Sequence, residues 1–262
     1  MSEAEPIEER ESIGAAELDA RDRPLVIRGG ARAMPALARW TPEYLAAELG
    51  DVELAVKHSP TGEHPNFRAQ TMAEMFARER MTFRAFLERI ASSPNWLFTG
   101  DEEFLLRRRD GVTTVNPKLA RLLDDLAMPP QVPGGRLYTV WAWFSGAGVH
   151  TWLHYDNNGC HNLNAQLAGE KTCVLFAPEH VARLEPFPLG GANPATNCSR
   201  LPREAIPADL PRIHATLRTG DLLFIPAWWL HAFDHLGAFN ANVNWWWKPP
   251  QPIDCAPARR HP

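Results

Sequence analysis

The sequence predicts a mainly β protein of the sandwich or barrel type, preceded by a smaller α/β part. From Leu137 onwards, short strand-like runs alternate with glycine, proline or asparagine. Many short strands joined by such turns are typical of sandwiches and barrels, and the jelly roll is one closed form of them. The chain has 262 residues and 45% hydrophobic content, which is enough to bury one substantial core.

The part before residue 137 predicts a support of strands and helices. Residues 1–21 are rich in charge and are expected to be flexible. Residues 24–30 predict a short buried strand that ends at glycines. Thr41 is expected to cap a helix that begins at Pro42, because proline needs no backbone partner at that position. A second helix is predicted over 82–90, where apolar residues recur at helical spacing: Phe83, Phe86, Leu87 and Ile90.

The barrel strands are predicted from five further runs: 137–144, 162–167, 172–176, 221–225 and 241–247. Before them, a strand is expected over 51–57 and a short helix over 117–126. The segment 185–211 shows no hydrophobic period, and loops of that length are often lids or binding segments. We expect substrate specificity to lie there. Residues 249–262 are rich in proline and predict a tail without a helix.

The composition limits which binding partners and which cellular compartment are expected. The formal net charge of -4 argues against a general affinity for nucleic acid. The four cysteines form no C-x-x-C pair, which favours reduced thiols in the cytosol. The N-terminal residues lack the apolar stretch of a signal peptide, and no apolar run approaches the ~20 residues that span a bilayer. A cytoplasmic protein without a membrane or nucleic-acid partner is therefore expected.

A candidate metal site is indicated by His154 and Asp156, followed much later by His231. In a β-strand, residues i and i+2 point to the same face, so an imidazole and a carboxylate would converge. A second histidine from a distant strand would complete the two-histidine, one-carboxylate set of non-haem Fe(II) oxygenases, which leaves positions open for other ligands. By itself this pattern is weak, because the chain contains ten histidines.

One predicted strand carries amides on a single face, at Asn162, Asn164 and Gln166. Two interpretations remain open. The amides face water on a half-exposed strand, or they line a barrel interior and bind a polar ligand. A buried amide without a partner costs roughly 1–3 kcal/mol, so a polar interior would need a ligand or neighbours to satisfy it.

Lys171 opens the next predicted strand. A lysine at a strand start is usually solvated, but this one shares its face with Cys173 and Leu175 and is predicted to point inward. A buried ammonium requires an anion, and a dicarboxylate would supply one. Thr151 would add a hydroxyl to the same carboxylate.

Several of these segments resemble the JmjC-type, cupin-like oxygenases that depend on 2-oxoglutarate. The resemblance includes the asparaginyl hydroxylase acting on hypoxia-inducible factor and its small bacterial relatives. It lies in these stretches: 23–29, 40–45, 140–144, 151–156, 162–171, 220–231 and 242–248. It implies a double-stranded β-helix (jelly-roll, cupin) core over about 137–248, within a domain over 22–248.

The resemblance also implies the chemistry. By position, His154, Asp156 and His231 would hold Fe(II). Lys171 and Thr151 would bind the distal carboxylate of the cosubstrate 2-oxoglutarate. Asn162 would lie near the chelating end of 2-oxoglutarate, and Asn244 would lie beside the metal. The implied activity is a dioxygenase that hydroxylates a protein side chain or a small molecule, with release of succinate and CO2. Members of the family also remove methyl groups from lysine or modify tRNA bases.

Two departures from the family pattern are visible. The spacing from His154 to Lys171 is two residues longer than expected, with Gly159 and Cys160 as the inserted pair. Several family members also bind the distal carboxylate with an upstream tyrosine, and the nearest counterpart in this chain is Trp96.

Other interpretations stay open beside the oxygenase. The chain would also fit a cupin that binds metal without oxidation, as a sensor or an isomerase, or a scaffold that has lost its activity. His235 is a further possible ligand if its segment is helical. Tryptophans are expected mainly in the core, with one or two stacking on substrate at the barrel mouth: Trp141, Trp143, Trp228, Trp229, Trp245, Trp246 and Trp247.

Overall fold

The computed structural model describes residues 5–58, 77–93, 97–99, 104–156, 158–187 and 197–254. The helices within them are α1 (Ala15–Asp19), α2 (Ala36–Arg39), α3 (Pro42–Leu49) and α4 (Phe83–Ser92). The strands of the first half are β1 (Glu5–Pro6), β2 (Glu8–Arg10), β3 (Leu25–Ile27), β4 (Glu53–His58), β5 (Ala77–Thr82), β6 (Leu97–Thr99), β7 (Phe104–Arg109) and β8 (Val112–Val115). Those of the second half are β9 (Leu137–Ser145), β10 (His161–Ala168), β11 (Glu170–Phe176), β12 (Ile213–Arg218), β13 (Leu222–Ile225), β14 (Leu230–His235) and β15 (Asn240–Trp247).

These strands form two sheets. The smaller sheet has the order β1-β12-β11-β14. The larger sheet has 11 strands and runs β2-β3-β13-β10-β15-β9-β6-β4-β5, with β7 and β8 branching from β9. From β10 onwards the chain passes repeatedly between the two sheets, and the strands of this part pair antiparallel. The predicted mainly β, jelly-roll architecture is therefore confirmed.

The outer face of the larger sheet is covered by helices. Alternate side chains of β9, β10 and β15 point outward and form one core with the helices. From the helices, Leu45, Phe83 and Phe86 are fully buried in this core. Each such side chain contributes roughly 1.5–3 kcal/mol on burial. This core holds the larger sheet in place as one wall of the site.

The helix starts agree with the capping signals in the sequence. The hydroxyl of Thr41 accepts a hydrogen bond from the Tyr44 backbone N–H at 3.2 Å, and α3 begins at Pro42 as predicted. Thr82 accepts from the backbone N–H of Ala85 at 3.2 Å in the same way. In α4 the four predicted apolar positions are the buried ones. Both helix predictions are confirmed.

Between the two sheets, apolar packing fills only part of the space. Val26, Leu223 and Ile225 of the larger sheet form one cluster with residues of the smaller sheet, including Leu175 and Leu217. The inward residues of β10 and β15 are also buried, but most of them are polar, for example Asn162, Asn164 and Asn244. The polar part of this inter-sheet space contains the candidate site.

The structure differs from the prediction of a flexible N-terminus. Within 1–21, β1 pairs parallel with β12 and β2 pairs parallel with β3. The charges of this segment form ion pairs, for example between Arg28 and Glu9, while Ile7, Ile13 and Leu18 are buried. Local composition misleads here because the hydrogen-bond partners are distant in sequence.

Smaller differences concern several other segments. The short helix expected over 117–126 is a 3-10 helix over Ala120–Asp125. The strand β12, just after the long predicted loop, and the strands β5 to β8 of the first half were not predicted. Of the predicted tail, residues 249–254 lie outside the helices and strands, and the Ile253 carbonyl accepts from the Trp228 indole N–H at 2.7 Å. In the described part of the chain, no helix has the length and apolar character needed to cross a membrane.

Candidate metal centre and buried lysine

Three side chains that the sequence singled out come together between the sheets. Donor atoms of His154, Asp156 and His231 all lie within 4.8 Å of one another. His231 is buried, while His154 and Asp156 are partly exposed. The cluster thus combines two imidazoles and one carboxylate, and one side of it remains accessible.

The local structure around His154 differs from the expected strand. His154 lies in isolated bridges to His231 and to Cys198, and Asp156 lies beyond them in a loop. The His154 backbone N–H donates to the His231 carbonyl at 3.1 Å, and the His231 N–H donates back at 2.7 Å. This direct pairing brings the two rings to a centroid distance of 4.4 Å. His154 and His231 therefore meet through backbone pairing between two distant segments of the chain, and not through the periodicity of one strand.

Each imidazole ring is fixed by a contact of the same kind, between its Nδ1 atom and the backbone carbonyl two residues earlier in the chain. The Nδ1 atom of His154 lies 2.9 Å from the Trp152 carbonyl, and Nδ1 of His231 lies 3.0 Å from the Trp229 carbonyl. Because a carbonyl oxygen only accepts, both Nδ1 atoms carry a proton, which in a neutral imidazole leaves the lone pair on Nε2. Burial, followed by the neighbouring His231, lowers the pKa of His154 and favours the neutral ring. Neutral imidazoles with an oriented lone pair are the form that binds metal.

The carboxylate of Asp156 is oriented by two donors on one oxygen. Its Oδ2 atom accepts from the Trp246 indole N–H at 2.8 Å and from the Asn162 amide at 3.0 Å. The sequence predicted Trp246 only as a core or substrate-stacking tryptophan, and its contact with the metal carboxylate was missed. The available signal was its position in β15 two residues after Asn244, on the same face.

Lys171 points between the sheets, as its strand pattern predicts. Its side chain is 1% exposed, and its Nζ donates to Asn164 Oδ1 at 3.0 Å. The ammonium also lies 4.4 Å from the ring centroid of Phe233. Burial lowers the pKa of Lys171 to about 7. A buried ammonium with a neutral amide and a ring as neighbours is suited to receive an anion.

Thr151 lies on the other side of the same Phe233. Its hydroxyl accepts from the Phe233 N–H at 2.8 Å, and its own N–H donates to the Phe233 carbonyl at 2.9 Å. The structure thus places Thr151 and Lys171 around one residue of β14. The hydroxyl proton of Thr151 is the group that would be offered to a ligand.

Asn162 and Asn244 occupy neighbouring inward positions of β10 and β15. Asn244 Nδ2 donates to Asn162 Oδ1 at 2.9 Å, and Asn162 in turn donates to Asp156. Asn244 Oδ1 accepts from Asn164 at 3.2 Å and from Asn242 at 2.7 Å. The amide face predicted for β10 is therefore buried, and its Asn162 and Asn164 amides are satisfied within the protein.

Two tryptophans continue this inward face towards the solvent. Trp141 pairs with Asn244 across β9 and β15, and Trp143 pairs with Asn242. Their rings are stacked, with centroids 5.7 Å apart and planes 18° from parallel. Both rings are only partly buried. They form an aromatic surface beside the polar interior.

The other candidate residues lie apart from the metal cluster. His235 belongs to strand β14, not to a helix, and its Nδ1 contacts the Ser145 hydroxyl at 2.6 Å. It pairs with Lys171 across β11 and β14. Trp96, the nearest counterpart of the upstream tyrosine, lies outside the described residues.

The predicted loop over 185–211 is described only in part, since 188–196 lie outside the described residues. Its returning residues run beside the metal motif. The Tyr155 N–H donates to the Asn197 carbonyl at 3.1 Å, and the Ser199 N–H donates to the Leu153 carbonyl at 2.8 Å. The returning part of the loop is therefore hydrogen-bonded directly to the segment that carries His154.

The donor set fits a divalent transition metal. Two neutral imidazoles and one carboxylate suit Fe(II), and three protein ligands leave coordination positions open. Each ligand is oriented by a hydrogen bond from or to the surrounding protein, which is the usual support of such sites. The chemistry of the residues present therefore agrees with an iron site at His154, Asp156 and His231.

Comparison with known proteins agrees with this geometry. The chain is 28% identical over 223 residues to the tRNA wybutosine-synthesizing protein 5 of Danio rerio, covering 82% of this chain and 65% of that protein. It is 29% identical over 234 residues to the tRNA wybutosine-synthesizing protein 4 of Aspergillus oryzae, covering 86% of this chain and 21% of that protein. It is 27% identical over 235 residues to the lysine-specific demethylase JMJ30 of Arabidopsis thaliana, covering 86% of this chain and 50% of that protein.

The chain spans about two thirds or less of the length of these relatives. The cupin-like domain model matches residues 11–252, which is most of the chain. Together with the jelly-roll fold and its His–Asp–His cluster, that match shows that the chain belongs to the cupin-like domain family, alongside JmjC-type relatives.

Proposed function

We propose that this protein is an Fe(II)- and 2-oxoglutarate-dependent dioxygenase that hydroxylates a protein side chain or a small molecule. One observation carries the proposal: the His–Asp–His cluster shares the inter-sheet space with the buried ammonium of Lys171. A metal site alone does not need a buried cation nearby. An anionic cosubstrate that spans both sites does need such a cation, because burial of an unpaired charge is costly.

In this proposal the chain's own residues divide into three roles. His154, Asp156 and His231 would hold Fe(II). Lys171 and Thr151 would bind the distal carboxylate of 2-oxoglutarate, and the amides of Asn162 and Asn244 would support the metal end. When bound, iron and 2-oxoglutarate supply the oxidising chemistry, with release of succinate and CO2.

The protein's contribution is geometry and exclusion of water. The backbone contacts of both imidazoles keep the Nε2 lone pairs available. The two donors on Asp156 Oδ2 hold the carboxylate in one orientation. The amides around these groups are buried, and electrostatic interactions are stronger in such an environment.

The candidate substrates fall into several chemical classes. Relatives are named for tRNA wybutosine synthesis and for lysine demethylation, so a tRNA base and a methylated side chain join the candidates. The net charge of -4 favours a protein side chain or small molecule over nucleic acid. We propose that the stacked pair Trp141 and Trp143 forms the surface against which the substrate packs.

The first test is an anaerobic titration of the metal-free protein with Fe(II) and then 2-oxoglutarate, followed in the visible range. A charge-transfer band should appear only when both are present. It should be absent in His154→Ala, which lacks a ligand. Lys171→Met should keep Fe(II) binding but require much more 2-oxoglutarate, by about a hundredfold or more, because the buried charge pair is lost.

The alternative outcomes separate the remaining interpretations. Tight metal binding without any band would favour the non-oxidative cupin, a sensor or isomerase. Unchanged 2-oxoglutarate binding in Lys171→Met would remove the assignment of the distal carboxylate. A wild-type protein that binds no metal would contradict both functions.

A further inference from the structure

A continuous hydrogen-bonded chain joins Lys171 to Asp156. Lys171 Nζ donates to Asn164 Oδ1 at 3.0 Å, and Asn164 Nδ2 donates to Asn244 Oδ1 at 3.2 Å. Asn244 Nδ2 then donates to Asn162 Oδ1 at 2.9 Å, and Asn162 Nδ2 donates to Asp156 Oδ2 at 3.0 Å. Lys171 and the three asparagines are each 5% exposed or less.

The direction of every link is dictated by the two ends. An ammonium can only donate and a carboxylate can only accept, so each amide between them must accept on the lysine side and donate on the aspartate side. Asn242 strengthens this direction by donating to Asn244 Oδ1 at 2.7 Å. Turning one amide around would place two donors or two acceptors opposite each other. The three amide dipoles are therefore aligned and polarise one another.

The chain also crosses between the sheets. Lys171 belongs to β11 of the smaller sheet, whereas Asn164 and Asn244 are paired partners on β10 and β15 of the larger one. Asn164 thus connects Lys171, which would bind the anion, to the amides that lead to the carboxylate of Asp156. Gln166, two residues after Asn164 on the same face of β10, instead donates from Nε2 to the Ala168 carbonyl at 2.7 Å.

We propose that Asn164 is a positioning residue that couples the dicarboxylate and metal sites, so that occupancy of either tightens binding at the other. This inference rests on the proposed function, since it takes metal at Asp156 and a dicarboxylate at Lys171. A dicarboxylate at Lys171 fixes the ammonium, which fixes the amide of Asn164 and, through it, the orientation of Asp156. By linkage, metal bound at Asp156 must favour the dicarboxylate by the same factor.

The test uses Mn(II) as a redox-stable metal and glutarate as a dicarboxylate that lacks the chelating keto group. Mn(II) affinity is measured by calorimetry with and without saturating glutarate. We compare the wild type with Asn164→Leu. The matched control is Gln166→Leu, the same change on the same face of β10 but outside the chain.

In the wild type, glutarate should tighten Mn(II) binding by about tenfold. Asn164→Leu should bind Mn(II) about threefold to tenfold more weakly even without glutarate, and the gain from glutarate should fall to about twofold or less. Gln166→Leu should keep both wild-type values. Asn164→Thr, whose hydroxyl can accept from Lys171 and donate towards Asn244, should retain part of the coupling, and it serves as a second variant if the leucine is not tolerated.

Three outcomes would overturn the inference. If Asn164→Leu weakens only glutarate binding and leaves Mn(II) affinity unchanged, Asn164 serves Lys171 alone. If Gln166→Leu loses coupling equally, the loss in Asn164→Leu reflects a general destabilisation of β10. If the wild type shows no coupling although it binds both ligands, the chain transmits nothing and the proposed function still stands. A wild type that binds Mn(II) but no dicarboxylate contradicts the cosubstrate assignment, and the Mn(II) affinity of Asn164→Leu then tests the chain by itself.

Discussion

The two faces of strands β10 and β15 differ in chemistry but not in burial. The outer face carries apolar residues that are 3% exposed or less: Leu163, Ala165, Leu167, Ala241, Val243, Trp245 and Trp247. The inner face carries residues that are 7% exposed or less: Asn162, Asn164, Gln166, Asn242, Asn244 and Trp246. Burial by itself therefore does not separate the core of this protein from its site.

The difference lies in how each face is held. On the outer face, side chains pack by shape against the helices, and one apolar residue can replace another at moderate cost. On the inner face, amides and the indole N–H of Trp246 form directional hydrogen bonds that lead to Asp156. Outer-face substitutions should thus lower stability, whereas substitutions of the inner-face residues that connect to Asp156 should lower ligand affinity.

The largest effect is expected on the outer face. Trp247 is fully buried, and its indole N–H donates to Asp19 Oδ1 at 2.9 Å. Trp247→Ala should lower the free energy of unfolding by about 3–5 kcal/mol, because it leaves a large cavity. Chemical denaturation measures this loss, and Val112→Ala at a 65% exposed position should change little. Wild-type stability of the tryptophan variant would contradict the assignment of this face to the core.

Lys171 of β11, whose Nζ reaches the inner face at Asn164, provides the next test, because burial of its charge lowers stability. Burial lowers the pKa of Lys171 from 10.5 to about 7. Between these values the unfolded chain binds the proton more strongly than the folded one, so stability rises with pH. Without ligand, the free energy of unfolding should rise by about 2 kcal/mol from pH 7 to pH 9 through this residue.

Lys171→Met removes the titrating group but keeps an unbranched side chain of similar length. Its stability near pH 7 should exceed that of the wild type, and the rise attributed to Lys171 should disappear. Lys171→Arg retains a charge across this range and should lack the rise as well, but without the gain near pH 7. Denaturation curves at several pH values measure both. An identical pH dependence in wild type and methionine variant would place the titration elsewhere.

How much of this could be predicted from the sequence depends on the range of the interactions. The capped helix at Pro42 and the apolar positions of α4 were predicted because their signals lie within one or two turns. The strands β1 and β2 were missed because their partners, β12 and β3, are set by tertiary packing.

The candidate site shows the same division. Strand alternation placed Lys171 and the amides of β10 on the inner side, as the structure has them. It gave a wrong local reason for the meeting of His154 and Asp156, which lie in a bridge and a loop. Trp246 and the link through Asn164 depend on the register between β10 and β15, which no local pattern specifies.

The smallest and sharpest test uses two neighbouring tryptophans of β15 that face opposite ways. Trp246→Phe keeps most of the packing but removes the indole N–H that donates to Asp156 Oδ2 at 2.8 Å. Metal affinity should fall by about tenfold, which is typical when a residue that orients a ligand is lost. Trp245→Phe, on the outer face, should lower stability by about 1–2 kcal/mol and leave the metal affinity of the folded protein unchanged. Calorimetric Mn(II) titration gives the metal affinity of each variant, and denaturation gives its stability. Equal metal affinities would show that the Trp246 bond does not orient Asp156, and equal losses in both variants would show that the two faces are not functionally separate.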